Sequence, residues 1–410
     1  MVITQPLPLV ETRGPGLAQN IAATFGLPDT FADTFADMPR EALPGDMVLE
    51  RLDLKVLKMA PEVTEWHCIR ADHAAMADAG QWSDLLDCLR FADQGRASAS
   101  GGKRVATLIS RGARSALAAA IDLRDWAAAE AEIARFEAVL DTHPDDYAAA
   151  HLLAQAHLDL AWAKRLVSTG AALSRNMWAE TTAHIARAED VLSLFDPIEE
   201  MSPILAATRY QLVRGIEGGR TLCRDWYEDW CDLDPTDADI HAIHAQHLLP
   251  HWFGTLANFD REAKHAASMT EGQTGNAAYA VFYMAAAEIL GDFPPGMDIV
   301  RFLSGLADFQ AATGCQYRAN LVANIMVELM EGFAIDGASK SYELGLTRAA
   351  LSDLLWNRLT EVHLGAWRDG ATGVVFAINQ IFGPAILRGA RIGVRGTGLA
   401  AIMPEDRAVA

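Results

Sequence analysis

The stretch from Val105 to Leu166 constrains the chain most, because its apolar residues recur at helical spacing and its breaks are short. Ala129, Ile133, Phe136 and Leu140 form one stripe, and Ala150, Leu153, Ala154, His157 and Leu158 form a second. Such intervals bring side chains onto one helix face. Only Thr142-His-Pro144-Asp-Asp-Tyr147 separates the two stripes. Helices joined by so short a turn lie antiparallel, each covering the other's stripe. Alanine is abundant elsewhere and β-branched runs are scarce, so propensity favours helix through most of the length. The expected fold is all-α, built of antiparallel helix pairs.

Phe136 is followed eight residues later by Pro144, and the next helix carries Ala150 and Ala154 around Leu153. Tyr227 and Pro235 repeat that spacing, with Leu233-Asp-Pro-Thr-Asp-Ala-Asp239 entering another helix. The arrangement resembles the tetratricopeptide helix-pair repeat, and the resemblance implies a TPR-like α-solenoid. Pro144 and Pro235 stand 91 residues apart, which is not a multiple of the family's period of about 34 residues. The array is therefore read as degenerate, with further helices over 177–194 and 203–222. Leu248-Leu-Pro250-His-Trp252-Phe-Gly254-Thr255, with Ala278-Tyr279 and Tyr283 downstream, gives a second resemblance. Residues 237–290 are similar to a bacterial domain of unknown function attached to such repeats. That similarity implies a helical scaffold and no chemistry.

The expected organisation has four parts. Residues 1–46, rich in Pro, Gly, Asp and Thr, read as an irregular N-terminal arm with one short helix near Thr30 to Ala36. N-terminal helices follow over 47–100, a repeat core over 105–290, and C-terminal helices with a Gly-rich cap over 291–410. From Met47, the spacing Leu49, Leu52, Val56, Met59 is read as helix, although Leu52, Leu54 and Val56 also suit a strand. Helices are expected over Met297–Thr313, Tyr317–Phe333 and Leu346–Arg368. The tail from Thr372, with Gly383-Pro384, Gly389, Gly393, Gly396 and Gly398, is expected to lose helical continuity and to form a terminal cap or a short hairpin. The Gly/Ser-rich run Gln94–Arg104 reads as a linker. It does not read as a phosphate loop, which needs Gly where Ala97 stands and Ser or Thr where Arg104 stands.

With 54 acidic against 34 basic residues, the net charge of −20 repels phosphate backbones and anionic lipid, so nucleic acid is not an expected partner. A basic or apolar protein or peptide segment fits better, and homo-oligomerisation stays open. The five cysteines include no Cys-x-x-Cys pair, which points to buried, reduced thiols in a cytoplasmic protein. Met1-Val-Ile-Thr-Gln-Pro-Leu-Pro has no basic segment before an apolar core, so no signal peptide is expected. The longest apolar run, Ala277–Ala287, is too short to span a bilayer, so no membrane insertion is expected. Gly-x-Ser-x-Gly and His-Glu-x-x-His are absent, so the reading favours a non-enzyme without a cofactor.

The candidate site is a groove near residues 226–283. Trp226, Tyr227, Trp230, His244, His247, His251, Trp252, Tyr279 and Tyr283 are dense in aromatic character. Beside Asp225, Glu228 and Asp229 they would line a concave acidic groove and anchor a partner segment. The leading expectation is a protein-interaction scaffold. The competing one is a metal-dependent enzyme using the His241–His265 cluster, with His241, His244, Glu262 and His265 as candidate ligands. Glu262-Ala-Lys-His265 is the chain's one Glu-x-x-His, and a di-iron bundle needs two.

Overall fold

The computed structural model describes residues 43–168 and 175–404. The expected N-terminal arm lies outside the described residues up to residue 42, its short helix near Thr30 to Ala36 included. The described chain is mainly helical, with seventeen α-helices and five short strands. It divides into two compact units, one formed by the described residues up to 61 and from 298 onward and the other by those between 62 and 297.

The first unit opens with α1 (Gly45–Glu50), β1 (Leu52–Asp53) and β2 (Lys55–Leu57). The chain then builds the second unit from α2 (Pro61–Asp78), α3 (Trp82–Gln94), α4 (Val105–Ala113), α5 (Ser115–Asp122), α6 (Trp126–Thr142) and α7 (Tyr147–Ser168). It continues through α8 (Arg175–Leu192), α9 (Pro203–Gln211), α10 (Gly219–Leu233), α11 (Ala238–His247), α12 (Leu256–Thr274) and α13 (Ala277–Leu290). The first unit resumes with α14 (Ile299–Ala311), α15 (Gln316–Asp336), α16 (Ser341–Asn357), β3 (Glu361–His363), α17 (Ala371–Leu387), β4 (Arg391–Arg395) and β5 (Gly398–Ile402).

Three expectations change in the first unit. The helix read from Met47 stops at Glu50, and the alternation Leu52, Leu54, Val56 serves two strands instead. Leu52 pairs in parallel with Ile392, and Val56 with Val362. The helix expected over Leu346–Arg368 ends at Asn357, because side chains from α15 capture the chain beyond it. Asn320 Nδ2 donates to the Glu361 carbonyl, its Oδ1 accepts from His363 N and Trp367 Nε1, and Gln316 Oε1 accepts from Thr360 N. The tail stays helical through Leu387, since Val374, Ala377, Ile378, Ile381, Phe382 and Ile386 make one buried face. Pro384 falls in the last turn, where its missing N–H forgoes a single bond. The hairpin β4–β5 follows, turning at Gly396 with φ +67°.

In the second unit α6 and α7 pair as their stripes require, burying Ala129, Ile133, Phe136 and Leu140 against Ala150, Leu153, Ala154 and Leu158. Helix α7 also packs on α3, α5, α8 and α9. Leu152, Leu153, Leu158 and Leu160 are completely buried, each worth about 1.5–3 kcal/mol over an exposed position. His151 is buried in α7, its Nε2 2.7 Å from Ser110 Oγ and its Nδ1 2.7 Å from Thr208 Oγ1. Asp93 holds the start of α9 by accepting from Ile204 N and Ser202 Oγ. The Gly/Ser-rich run is pinned at its end, where Lys103 pairs with Asp239 and Arg104 with Asp234.

The single helix expected over 203–222 breaks in two. A Cβ on Gly219 would lie 2.0 Å from the Val213 carbonyl, a turn only glycine allows, and α10 begins there. All five cysteines are free. Cys223 and Cys231 are buried as expected, whereas Cys68 and Cys88 are exposed.

Candidate functional site

Helix α11 starts at Asp237, whose side chain accepts from Asp239 N. Its histidines face inward: His241, His244 and His247 are 3%, 3% and 1% exposed. His241 Nδ1 lies 2.9 Å from the Tyr227 hydroxyl, and His244 Nδ1 hydrogen-bonds the Tyr210 hydroxyl. The His244 ring stacks on Tyr227 at 3.7 Å between centroids, and His247 on Tyr210 at 4.9 Å. Burial disfavours the imidazolium, lowering His241 to about 4 and holding His244 and His247 well below the usual range.

The aromatic residues proposed as a groove lining are mostly interior. Tyr227, Trp230, Tyr279 and Tyr283 are buried, the last two with their hydroxyls on Asp260 Oδ1 at 2.6 and 3.3 Å. A side chain with no exposed face cannot anchor a guest, so these four and His247 leave the expected groove, whereas His244 keeps one edge on a neighbouring cavity. Trp226 is half-buried, with the Arg209 guanidinium 4.6 Å above its ring. Trp252 is half-buried, edge-on to Trp162, and Arg165 and Arg214 lie over both indoles. His251 is exposed.

The proposed metal ligands are occupied separately. His241 meets Tyr227, His265 Nε2 meets Glu228 at 3.1 Å, and Glu262 pairs with Arg224 and Arg261. Among the described residues no group of three or more His, Cys, Asp or Glu side chains is placed to hold a metal ion.

An open cavity of about 220 Å³ lies among α10, α11 and α12. Arg220, Arg224 and Arg261 line it with the single acid Glu262, leaving two positive charges in excess within a chain of net −20. Glu262 bonds both Arg224 and Arg261 and so holds them over the opening. Leu248, Phe253 and Phe259 supply an apolar wall, and Cys223 and His244 line the interior. Burial raises the Cys223 thiol, which keeps it protonated and unreactive at neutral pH.

Two tight turns frame this space. The turn at Gly219 delivers Arg220, Cys223 and Arg224 on the first turns of α10. At Gly254 a Cβ would sit 1.7 Å from the Leu248 carbonyl, so the chain from Leu248 to Thr255 can fold back only with glycine there. Phe253 N donates to the His247 carbonyl and Trp252 N to the Leu249 carbonyl within that turn. Thr255 then opens α12, and its side chain makes no capping bond.

Sequence reading missed Arg220, Arg224 and Arg261. Arg220 and Arg224 are four apart just after Gly218-Gly219, a spacing that places both on one helix face. That pairing was the available signal. No helix among the described residues is long and apolar enough to cross a membrane. No protein-family model matches the chain, and neither the curated proteins nor the solved structures returned a match.

Proposed function

We propose that the chain is a cytoplasmic protein-interaction scaffold, a degenerate tetratricopeptide-like array of helix hairpins that takes a segment of a partner chain at the cavity between α10 and α12. The observation that carries this reading is the open, arginine-lined cavity in an otherwise acidic protein. Neighbouring helices packing in chain order from α5 to α11 support the helix-pair description, and α7 departs from a strict repeat by also packing on α3, α5 and α9. The charge around the cavity suits an acidic partner segment in place of the basic one expected from composition.

Affinity capture with the full chain, Arg220→Glu and the distant surface variant Arg111→Glu tests the proposal. A partner retained by the wild type and by Arg111→Glu but lost by folded Arg220→Glu supports it; retention by all three removes the cavity from the reading. The metal-dependent enzyme reading has no geometric support, since His241, His265 and Glu262 each serve a different partner.

A further inference from the structure

We propose that the cavity among α10, α11 and α12 is a binding site for a carboxylate carried on an apolar body. Four features converge on that chemistry. Arg220 is exposed and has no ion pair among the described residues, while Arg224 and Arg261 are held beside it by Glu262. A guanidinium presents a planar fork that matches a carboxylate. His244 lines the cavity although it is only 3% exposed. Its Nδ1 is engaged by the Tyr210 hydroxyl, and its Nε2 makes no hydrogen bond among the described residues. An anion beside that nitrogen selects the tautomer with hydrogen on Nε2, in which Nδ1 accepts from the Tyr210 hydroxyl.

The third feature is helix α12, nineteen residues long and without a side-chain cap. Its first turn lines the same space through Thr255, Asn258 and Phe259, and the N–H groups at such a terminus favour negative charge. The fourth is the wall of Leu248, Phe253 and Phe259, which a bare inorganic anion would leave wet and a hydrocarbon stem covers. The cavity of about 220 Å³ has room for a short-chain acid. A free organic acid and the C-terminal carboxylate of a peptide share this chemistry.

Isothermal titration of the full chain at low salt separates the sources. The probes are hexanoate, hexylamine, inorganic phosphate, and a short leucine-terminated peptide with a free or an amidated C-terminus. Saturable one-site binding of hexanoate, weakened about tenfold or more in Arg220→Gln, assigns a free acid. Binding of the free-carboxylate peptide alone, lost on amidation and weakened by the same substitution, assigns a chain terminus. The proposal is overturned if neither carboxylate binds, if hexylamine or phosphate binds as tightly, or if Arg220→Gln leaves affinity unchanged. The Arg220 side chain makes no hydrogen bond or ion pair among the described residues, so circular dichroism of Arg220→Gln is expected to match the wild type; Arg224→Gln gives a second, independent reading. The cavity is the one assigned to the scaffold reading, and the two part by readout. Hexanoate binding with partner capture indifferent to Arg220→Glu keeps the ligand site and removes the scaffold's docking point.

Discussion

Helices α9, α10 and α11 present two regions of opposite character. Inward, Tyr210, Tyr227, His241 and His244 form a neutral layer in which hydroxyls meet imidazoles and rings stack. Toward the cavity, α10 and α11 carry Arg220, Arg224, Cys223 and the edge of His244, and positive charge exceeds negative. The first region closes its polarity on itself, as buried polar groups must to avoid a desolvation cost. The second leaves charge uncompensated where water and solutes reach it. Density of aromatic and histidine residues therefore marks interior here, and unbalanced charge marks the surface able to act.

The largest expected effect sharpens the first half of that contrast. Trp230→Ala, which removes a 3% exposed indole, is expected to lose about 3–5 kcal/mol in urea unfolding. A loss below about 1 kcal/mol would show that the layer is not core.

Acid gives the next effect. His241 is lowered from 6.5 to about 4, so the unfolded chain takes up its proton before the folded one does. Stability is then complete above about pH 6.5 and declines as the pH falls toward 4, by about 1.4 kcal/mol per pH unit for each such histidine. His151, lowered to about 3, and His157, lowered to about 4, act with the same sign. Asp93, raised to about 6 by burial, acts oppositely, since its folded form binds a proton first between pH 6 and 3.8. Asp237, raised to about 7 by burial, acts with Asp93; the histidines outnumber these two acids, so a urea midpoint that rises between pH 6.5 and 4.5 would contradict the buried, neutral assignment.

Smaller is Gly254→Ala, expected to cost about 1–3 kcal/mol through overpacking against the Leu248 carbonyl. It also displaces the start of α12, so it is expected to abolish any binding at the cavity, which calorimetry would read. Smallest is Arg220→Gln. An exposed arginine with no side-chain partner among the described residues is expected to change thermal or urea stability by no more than about 0.5 kcal/mol. A large loss would mean that Arg220 belongs to the framework, and the two regions would no longer differ in kind.

The helical framework was legible where periodicity was long. The stripes of α6 and α7 could be read residue by residue, and their turn follows from Pro144. Strands of two or three residues such as β1 and β3 carry too little alternation to register, and Asn320, which fixes the chain beyond α16, sits some forty residues away in sequence. Gly383-Pro384 misled because the burial of Ile378, Ile381 and Phe382 outweighs one missing bond. The Leu-Leu-Pro-x-Trp-x-Gly-Thr corner lies beside the candidate cavity, yet its function is to bend the backbone. The neighbouring aromatic residues face the interior where a groove lining was expected, since sequence does not distinguish a ring facing a groove from a ring facing the interior. Arg220, Arg224 and Arg261 escaped because cations on helix starts resemble an ordinary hydrated surface until the fold brings them together.

Helix α7 reaches five others, and that number bears on how the second unit comes apart. In an array where every hairpin touches only its neighbours, ends fray first and truncation removes stability in instalments. A shared axle forbids this, because deleting α3 or α9 strips the same apolar rod that α5, α6 and α8 need. Residues 62–297 are expected to melt in one cooperative step, and shortened versions that cut into α3 or α9 to give no folded remnant at all.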